Sequence, residues 1–382
     1  MSKRVEDAFF KKVTAAKTDF PVGVEALYEA AQKKFEKNPF GYIYSGASGE
    51  ETLRNNRRAF ERWAIVPRFL TDVSEVDTSV TLFGKTYDTP ILFAPVGMQK
   101  LAHEEAELAS SRAAAKFGIP FIQSTVSSYS IESIREATND SPKWFQLYWS
   151  TVDEDLPKSM VQRAERAGYE AIVLTIDTVR IGWRETDLRN QFSPLKGGLG
   201  KANYVEDPVF QRSLRDDSEE ALIDALVQHV HHPTLGWEQI EKLQSWTKLP
   251  IVLKGILHPE DAKEAVARGI DGIVVSNHGG RQLDGVIASL DALPAVAEAV
   301  DGRIPVLFDS GIRSGVDVVK ALALGADAVC VGRPYIYALG IDGERGVTTW
   351  VEHLLEEMTA SIALAGANSV KQVRHLTLVE NK

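Results

Sequence analysis

Eight short apolar, β-branched runs recur along the chain with helical stretches between them: TPILFAPVG, IPFIQST, KWFQLYW, AIVLTIDT, LPIVLKG, DGIVVSN, IPVLFDSG and DAVCVGRP. Runs this apolar, without polar alternation, describe strands buried on both faces, as parallel strands are. Segments such as PEDAKEAVARG and SGVDVVKALALG supply the crossover helices. Eight such units predict an α/β fold, a closed (β/α)8 TIM barrel. The rival is an open doubly wound sheet, but its G-x-G-x-x-G fingerprint is missing after the early strands. KGGLGKANY at 196–204 is only superficially a phosphate loop, since Leu195 stands at the first glycine position of a Walker A motif and Ala202 at the Ser/Thr position.

Two segments lie outside this alternation, within what reads as one domain over residues 1–382. Residues 1–60 precede the barrel, where VGVEALYEAAQKKFEKN and SGEETLRNNRRAFERW read as helices. The second opens on Ser48 with Glu51 three later, a capping-box pattern. These helices are expected to cap the barrel's bottom or rim. Residues 186–236, between the fourth and fifth strands, form an insertion far longer than an ordinary βα loop, with a helix in SEEALIDALVQH. An insertion at that place is expected over the barrel mouth, acting as a lid.

Composition narrows the chemistry. With 44% hydrophobic and 25% charged residues the chain is ordinary globular protein. A net charge of -10 and a pI near 5.4 give no basic surface for nucleic acid, so an anionic substrate requires locally clustered positive charge. The single cysteine, Cys330, excludes an intrachain disulfide framework and a Cys-based zinc site, as in a reducing compartment. No apolar run approaches the roughly 20 residues needed to cross a bilayer. A cytoplasmic protein without membrane or nucleic-acid partners is expected.

In a barrel of this kind reactive residues hang from the C-terminal ends of the strands. Read in order, those ends give Pro95 and Gly97; Ser124; Gln146 and Tyr148; Thr175 and Asp177; Lys254; Ser276, His278 and Arg281; Asp309, Gly311 and Arg313; Gly332 and Arg333. The seventh and eighth strands close FDSGIRSGVD and VGRP, glycines and arginines around helix starts, the usual barrel site for a phosphate. A phosphorylated ligand is expected there. Lys254 closes an apolar strand and needs an anionic partner or a cofactor whose negative charge it can stabilise. His278, inside SNHGGRQLD, is the natural general base, with Asp177 placed to stabilise its protonated form. Arg281 and Arg184 offer two guanidinium forks for a planar carboxylate, and Tyr42 and Tyr148 hydroxyl contacts. His229, His231 and His232 lie in the insertion without a nearby Cys or matching carboxylate pattern, so no metal is assigned to them.

With these residues assembled, the sequence resembles the FMN-dependent L-2-hydroxy acid oxidase and dehydrogenase family, which includes glycolate oxidase, lactate oxidase and lactate monooxygenase. SNHGGRQLD resembles the family's active-site signature, and APVGMQK, FQLY, LTIDT, LKG, DSGIRSG and VGRP follow in the family's order through almost the whole chain. By that resemblance the phosphorylated ligand is FMN, with its phosphate near Arg313, Gly332 and Arg333 and its ribityl chain near Asp309. Pro95, Val96, Gly97, Ser124, Gln146 and Thr175 match positions bordering the isoalloxazine ring, and Lys254 faces its N1/O2 edge. The resemblance implies a substrate carboxylate on Arg184 and Arg281, the 2-hydroxyl near Tyr42, Tyr148 and His278, and catalysis by His278, Asp177, Lys254 and Tyr148.

Within the family, Gly97 stands where glycolate and lactate oxidases carry alanine, and Val126 where glycolate oxidase carries tryptophan. GWRETDL, followed by NYVEDPVFQ, is most similar to lactate monooxygenase, although the insertion is shorter here. The expectation is oxidation of a small L-2-hydroxy acid, preferably L-lactate, by oxygen. Monooxygenase-type products (acetate, CO2, water) are favoured over pyruvate and peroxide. The alternative is a dehydrogenase passing electrons to a quinone, cytochrome or other carrier. Relatives commonly form tetramers or octamers, which implies a homotetramer or homo-octamer.

Overall fold

The computed structural model describes residues 10, 12–14, 20–150 and 152–381. Each of the eight apolar runs forms a barrel strand: β1 Ile91–Phe93, β2 Phe121–Gln123, β3 Lys143–Leu147, β4 Ile172–Thr175, β5 Ile251–Ile256, β6 Gly272–Val275, β7 Val306–Phe308 and β8 Ala328–Val331. The strands pair in parallel in sequence order, and β8 closes on β1 through Val329 opposite Ile91 and Val331 opposite Phe93. Alternate side chains serve two apolar layers. Leu92, Ile122, Val173, Val252, Val274 and Leu307 fill the barrel interior. Their neighbours Phe93, Phe121, Phe145, Ile172, Ile273 and Phe308 pack outward under the helices. This double burial is why the runs carry no polar alternation.

The bottom of the barrel is closed by a hairpin, Val80–Leu82 with Lys85–Tyr87, whose Leu82 and Tyr87 join the interior layer. The N-terminal helices do not plug that end; they sit against the rim and the outer face. The helix expected over VGVEALYEAAQKKFEKN stops at Lys34, as Val24–Lys34, and a second follows, Lys37–Tyr44, because Phe35 and Glu36 are extended and the Phe35 ring presses onto Gly340. The helix Glu51–Arg62 also begins differently from expectation. Its N-cap is Glu50, left-handed at φ 62° and without a side-chain cap, so the Ser48–Glu51 capping box does not form. Asp284 caps it from across the fold, accepting from the N–H groups of Glu51 at 3.2 Å and Thr52 at 2.7 Å.

The insertion carries the expected helix Glu219–Gln228, capped by Ser218, together with Glu185–Asn190, Ala202–Val205 and Pro208–Ser213. It is fastened beside the barrel mouth. The buried Asn203 amide donates to the carbonyls of Ser124 and Thr125 at 3.2 and 3.0 Å and accepts from Ile131 N–H at 2.9 Å. Arg163, itself buried, holds Asn203 O at 2.7 Å and Asp207 at 3.1 Å.

Candidate active site

The C-terminal ends of the strands open into a cleft of about 1010 Å³, counted with the solvent-open space at its mouth. Tyr42, Pro95, Val96, Gly97, Ser124, Tyr148, Arg184, Lys254, His278, Arg281, Asp309, Gly311, Arg313, Gly332 and Arg333 all line it. Gln146, Thr175, Asp177 and Ser276 do not; they stand one layer behind and hold the wall. Gln146 accepts from Ser124 Oγ and Thr125 N–H, both at 3.1 Å, and donates to Thr175 Oγ1 at 2.9 Å. Ser276 Oγ accepts from Lys254 Nζ at 3.2 Å and from His278 N–H at 3.0 Å. The insertion packs against the cleft wall, where a Cβ on Gly200 would lie 2.8 Å from Met98 Cγ and 2.9 Å from Val126 O.

The two glycines of SNHGGRQLD allow the chain to turn back sharply after β6. His278, Gly279 and Gly280 all have left-handed backbones, φ 58°, 64° and 74°, a conformation cheap for glycine and costly for histidine. A Cβ on Gly279 would lie 2.7 Å from the Arg333 guanidinium, and one on Gly280 would lie 2.7 Å from Leu53 N. The turn thereby admits both Arg333 and the N-terminal helix. Its ends are pinned by Asn277, whose Oδ1 accepts from Gly280 N–H at 3.1 Å and from Asn56 at 2.8 Å.

The His278 ring so placed has Nδ1 2.8 Å from Asp177 Oδ1. A carboxylate at that distance keeps the hydrogen on Nδ1 and leaves Nε2 to accept a proton. Burial lowers the His278 pKa; Asp177 raises it, and the charges of Lys254 and Arg184 lower it again. The ring is therefore a neutral base at physiological pH. Burial alone would raise the Asp177 pKa, but His278 and Lys254 hold the carboxyl below its usual range. Lys254 Nζ lies 3.6 Å from Asp309 Oδ2, both side chains buried. Burial works against the ammonium, yet Asp309 and Asp177 keep it charged, with its pKa above the ordinary lysine value.

The arginines explain the role of the first helices. The last carbonyls of a helix have no partner within it and carry its negative end. At the end of Lys37–Tyr44 those acceptors meet guanidinium groups: Arg281 donates to Tyr42 O at 2.5 Å and Ser45 O at 2.8 Å, and Arg333 to Ile43 O and Ser45 O at 3.0 Å each. Arg313 donates to Ile312 O at 2.8 Å. None of the three forms an ion pair with a carboxylate among the described residues. Burial lowers the pKa of all three, that of Arg281 to about 10 with Arg184 as the next cause. Partly buried guanidinium groups satisfied only by carbonyls are built to take an anion. Two such stations exist. Arg313 and Arg333 line the cleft together with Gly332, the N-cap of the helix Arg333–Leu364, which suits a phosphate. Arg184 and Arg281 lie over the Tyr42 ring, 5.9 and 4.7 Å from its centre, which suits a carboxylate.

The histidines of the insertion are occupied in packing. His229 Nδ1 is 2.5 Å from Ser150 Oγ and His231 Nδ1 3.3 Å from Thr178 O, and no group of three His, Cys, Asp or Glu side chains among the described residues is arranged to hold a metal ion. The cleft also contains residues that the strand-end reading passed over, including Met98, Ser310, Ile312 and Ile336. Ser310 was legible, being the next residue in FDSG; it accepts from Gly279 N–H at 2.9 Å and donates to Asp309 at 2.7 Å. The carbonyls of residues 42–45 had no side-chain signal to reveal them.

A phosphate station, a carboxylate station and a charged lysine on one barrel mouth suit a phosphorylated redox cofactor with a small acid against it. The family model described as FMN-dependent dehydrogenase matches residues 31–380. The chain belongs to that family. FMN is its cofactor, and the partly buried, carbonyl-held Arg313 and Arg333 and the ammonium of Lys254 fit that group's phosphate and its electron-rich ring edge. Among members of the FMN-dependent dehydrogenase family, an L-lactate oxidase of Lysinibacillus sphaericus is 58% identical over 98% of this chain and 97% of its own. An L-lactate oxidase of Nostoc is 42% identical over 92% and 96%. A crystal structure of mandelate oxidase with (S)-4-hydroxymandelic acid superposes with a TM-score of 0.86 at 41% identity, covering 94% of this chain and 99% of that one. The protein is thus an FMN-dependent enzyme that oxidises 2-hydroxy acids. No helix among the described residues is long and apolar enough to cross a membrane.

Proposed function

We propose that the enzyme oxidises L-lactate to pyruvate and passes the two electrons to oxygen, giving hydrogen peroxide. The observation that carries the reading is the opposition, in one cleft, of the His278–Asp177 pair and the Arg184–Arg281 pair. The guanidinium groups fix the carboxylate, which leaves the 2-hydroxyl facing His278 Nε2 and Tyr148. Burial raises the Tyr148 phenol to about 12, so it stays a neutral donor. His278 Nε2 takes the hydroxyl proton and Asp177 stabilises the resulting imidazolium. FMN, when bound, supplies the two-electron acceptor for the hydrogen at C2. Lys254 supplies fixed positive charge where negative charge develops.

The L-lactate oxidase relative at 58% identity supports release of pyruvate with peroxide. GWRETDL supports the second reading, in which pyruvate is retained with peroxide and the pair reacts to acetate, CO2 and water. Quantifying pyruvate, acetate and peroxide at early times of aerobic turnover, without catalase, separates the two. Pyruvate with stoichiometric peroxide is expected; early acetate refutes release. Anaerobic reduction by L-lactate followed by stopped-flow mixing with oxygen tests the acceptor, since reoxidation slower than turnover assigns the enzyme to dehydrogenases. His278→Ala is expected to keep FMN and lose substrate-driven reduction by about 100-fold or more. A homotetramer or homo-octamer is proposed with it, checked by light scattering.

A further inference from the structure

Gln282 follows Arg281 in SNHGGRQLD, and both ends of its side-chain amide are engaged. Nε2 donates to Asp177 O at 3.0 Å and to Arg180 O at 2.9 Å, while Oε1 accepts from Arg184 Nη2 at 3.2 Å. These partners span residues 177–184, the segment that leads from β4 to the helix Glu185–Asn190. It carries the partner of the base at one end and a substrate-facing guanidinium at the other. The segment has neither helix nor strand, and its Val179, Ile181 and Trp183 are exposed, so apolar burial does little to hold it. Close contacts with its neighbours do instead. Trp183 O accepts from Ser48 N–H at 2.6 Å, and a Cβ on Gly182 would lie 2.8 Å from Gln282 O.

The two guanidinium groups have separate anchors. Arg281 is held by the carbonyls of Tyr42 and Ser45, whereas Arg184 is held by Gln282 Oε1 and, through its Nε, by Arg281 O at 3.3 Å. Both acceptors of Arg184 are neutral, so its charge stays available to an anion. We propose that Gln282 is a positioning residue for the substrate: its amide ties Asp177 to Arg184 and so holds the guanidinium that takes the carboxylate at a set separation from the His278–Asp177 pair. The residue type fits that task. An amide donates to two carbonyls and accepts from a guanidinium at once. A carboxylate in its place would offer no donor to Asp177 O and Arg180 O, and would occupy Arg184 with its own charge. An arginine side chain has much rotamer freedom, and fixing it before the substrate arrives removes that cost from binding.

The inference rests on the proposed carboxylate-binding role of Arg184, and a double-mutant cycle keeps the two apart. Anaerobic stopped-flow reduction of the flavin by L-lactate is measured for the wild-type, Gln282→Met, Arg184→Met and doubly substituted holoenzymes. In the wild-type background Gln282→Met is expected to raise half-saturating L-lactate about 10-fold, as for a lost hydrogen bond to a charged group, with the limiting rate kept within about 3-fold. In the Arg184→Met background the same substitution is expected to change the second-order rate constant by less than about 3-fold, because the group it positions is gone. Thermal denaturation and FMN content verify folding, and Gln282→Ser replaces Gln282→Met if the methionine variant does not fold. An unchanged half-saturation, or a loss of equal size in both backgrounds, overturns the proposal while leaving the carboxylate station intact. Reduction by L-lactate that survives Arg184→Met undiminished refutes that station and the role of Gln282 with it.

Discussion

Replacing Asp177 by asparagine removes the charge that supports the protonated base while keeping nearly the same shape. The bond it alters is the 2.8 Å contact between Asp177 Oδ1 and His278 Nδ1. A hydrogen bond to a charged group contributes about 1.5–3 kcal/mol, and each 1.36 kcal/mol is tenfold in rate, so flavin reduction by L-lactate is expected to slow by about 10- to 150-fold. The pH dependence carries a second signature. His278 acts as a base when neutral, so kcat/KM rises with pH through its pKa, which burial has already moved below the ordinary 6.5. Asp177 is the group that raises that pKa. Without it, the rising limb moves to still lower pH while the plateau falls. Anaerobic stopped-flow reduction across pH measures both. An unchanged plateau, or a limb displaced to higher pH, would refute the assignment of Asp177 as the partner of the imidazolium.

Gly255→Ala should damage the same pair from behind, since Gly255 has φ +117° and a Cβ there would lie 2.8 Å from Asp177 Cβ. A loss of about 1–3 kcal/mol, read as a lower Tm, is expected with slowed flavin reduction in protein that still binds FMN. Asn203→Ala removes the buried amide that fastens the insertion to β2 and should expose 195–215 to limited proteolysis, at a cost of about 1–3 kcal/mol. Unchanged cleavage would show that the anchor lies elsewhere. Burial lowers the pKa of His229, His231, His232, His278 and His353. The unfolded chain therefore binds more protons just below pH 6.5, and stability should be full above that pH and fall as the pH drops toward the folded-state values. A Tm that stays flat between pH 7.5 and 5 would contradict this.

The barrel was legible because each strand is buried on both faces, so eight apolar runs stand out whatever their partners. The strand-end rule then collected His278, Lys254, Arg281 and Arg333 without knowledge of distances. It could not distinguish residues that face the cleft from those behind it: Gln146 and Thr175 end their strands as Ser124 does, yet the Gln146 amide is spent on Ser124, Thr125 and Thr175. The Ser48–Glu51 pattern misled because the helix start is decided by Asp284, more than two hundred residues away, and local spacing carries no trace of such a partner. The anchor of the insertion was hidden for a similar reason, since Asn203 meets Ser124 and Thr125 only in the folded chain.

The carbonyl oxygens at the end of Lys37–Tyr44 have a further consequence for any attempt to shorten or transplant this catalyst. A version trimmed to begin at the first barrel strand would retain every strand-end side chain, yet Arg281 would lose Tyr42 O and Ser45 O and Arg333 would keep only Gly279 O, leaving the two guanidinium groups short of acceptors in a desolvated mouth. Such an excised barrel is expected to collapse around its own cations rather than bind its yellow cofactor. A portable unit is expected to need the helix Lys37–Tyr44 together with the barrel.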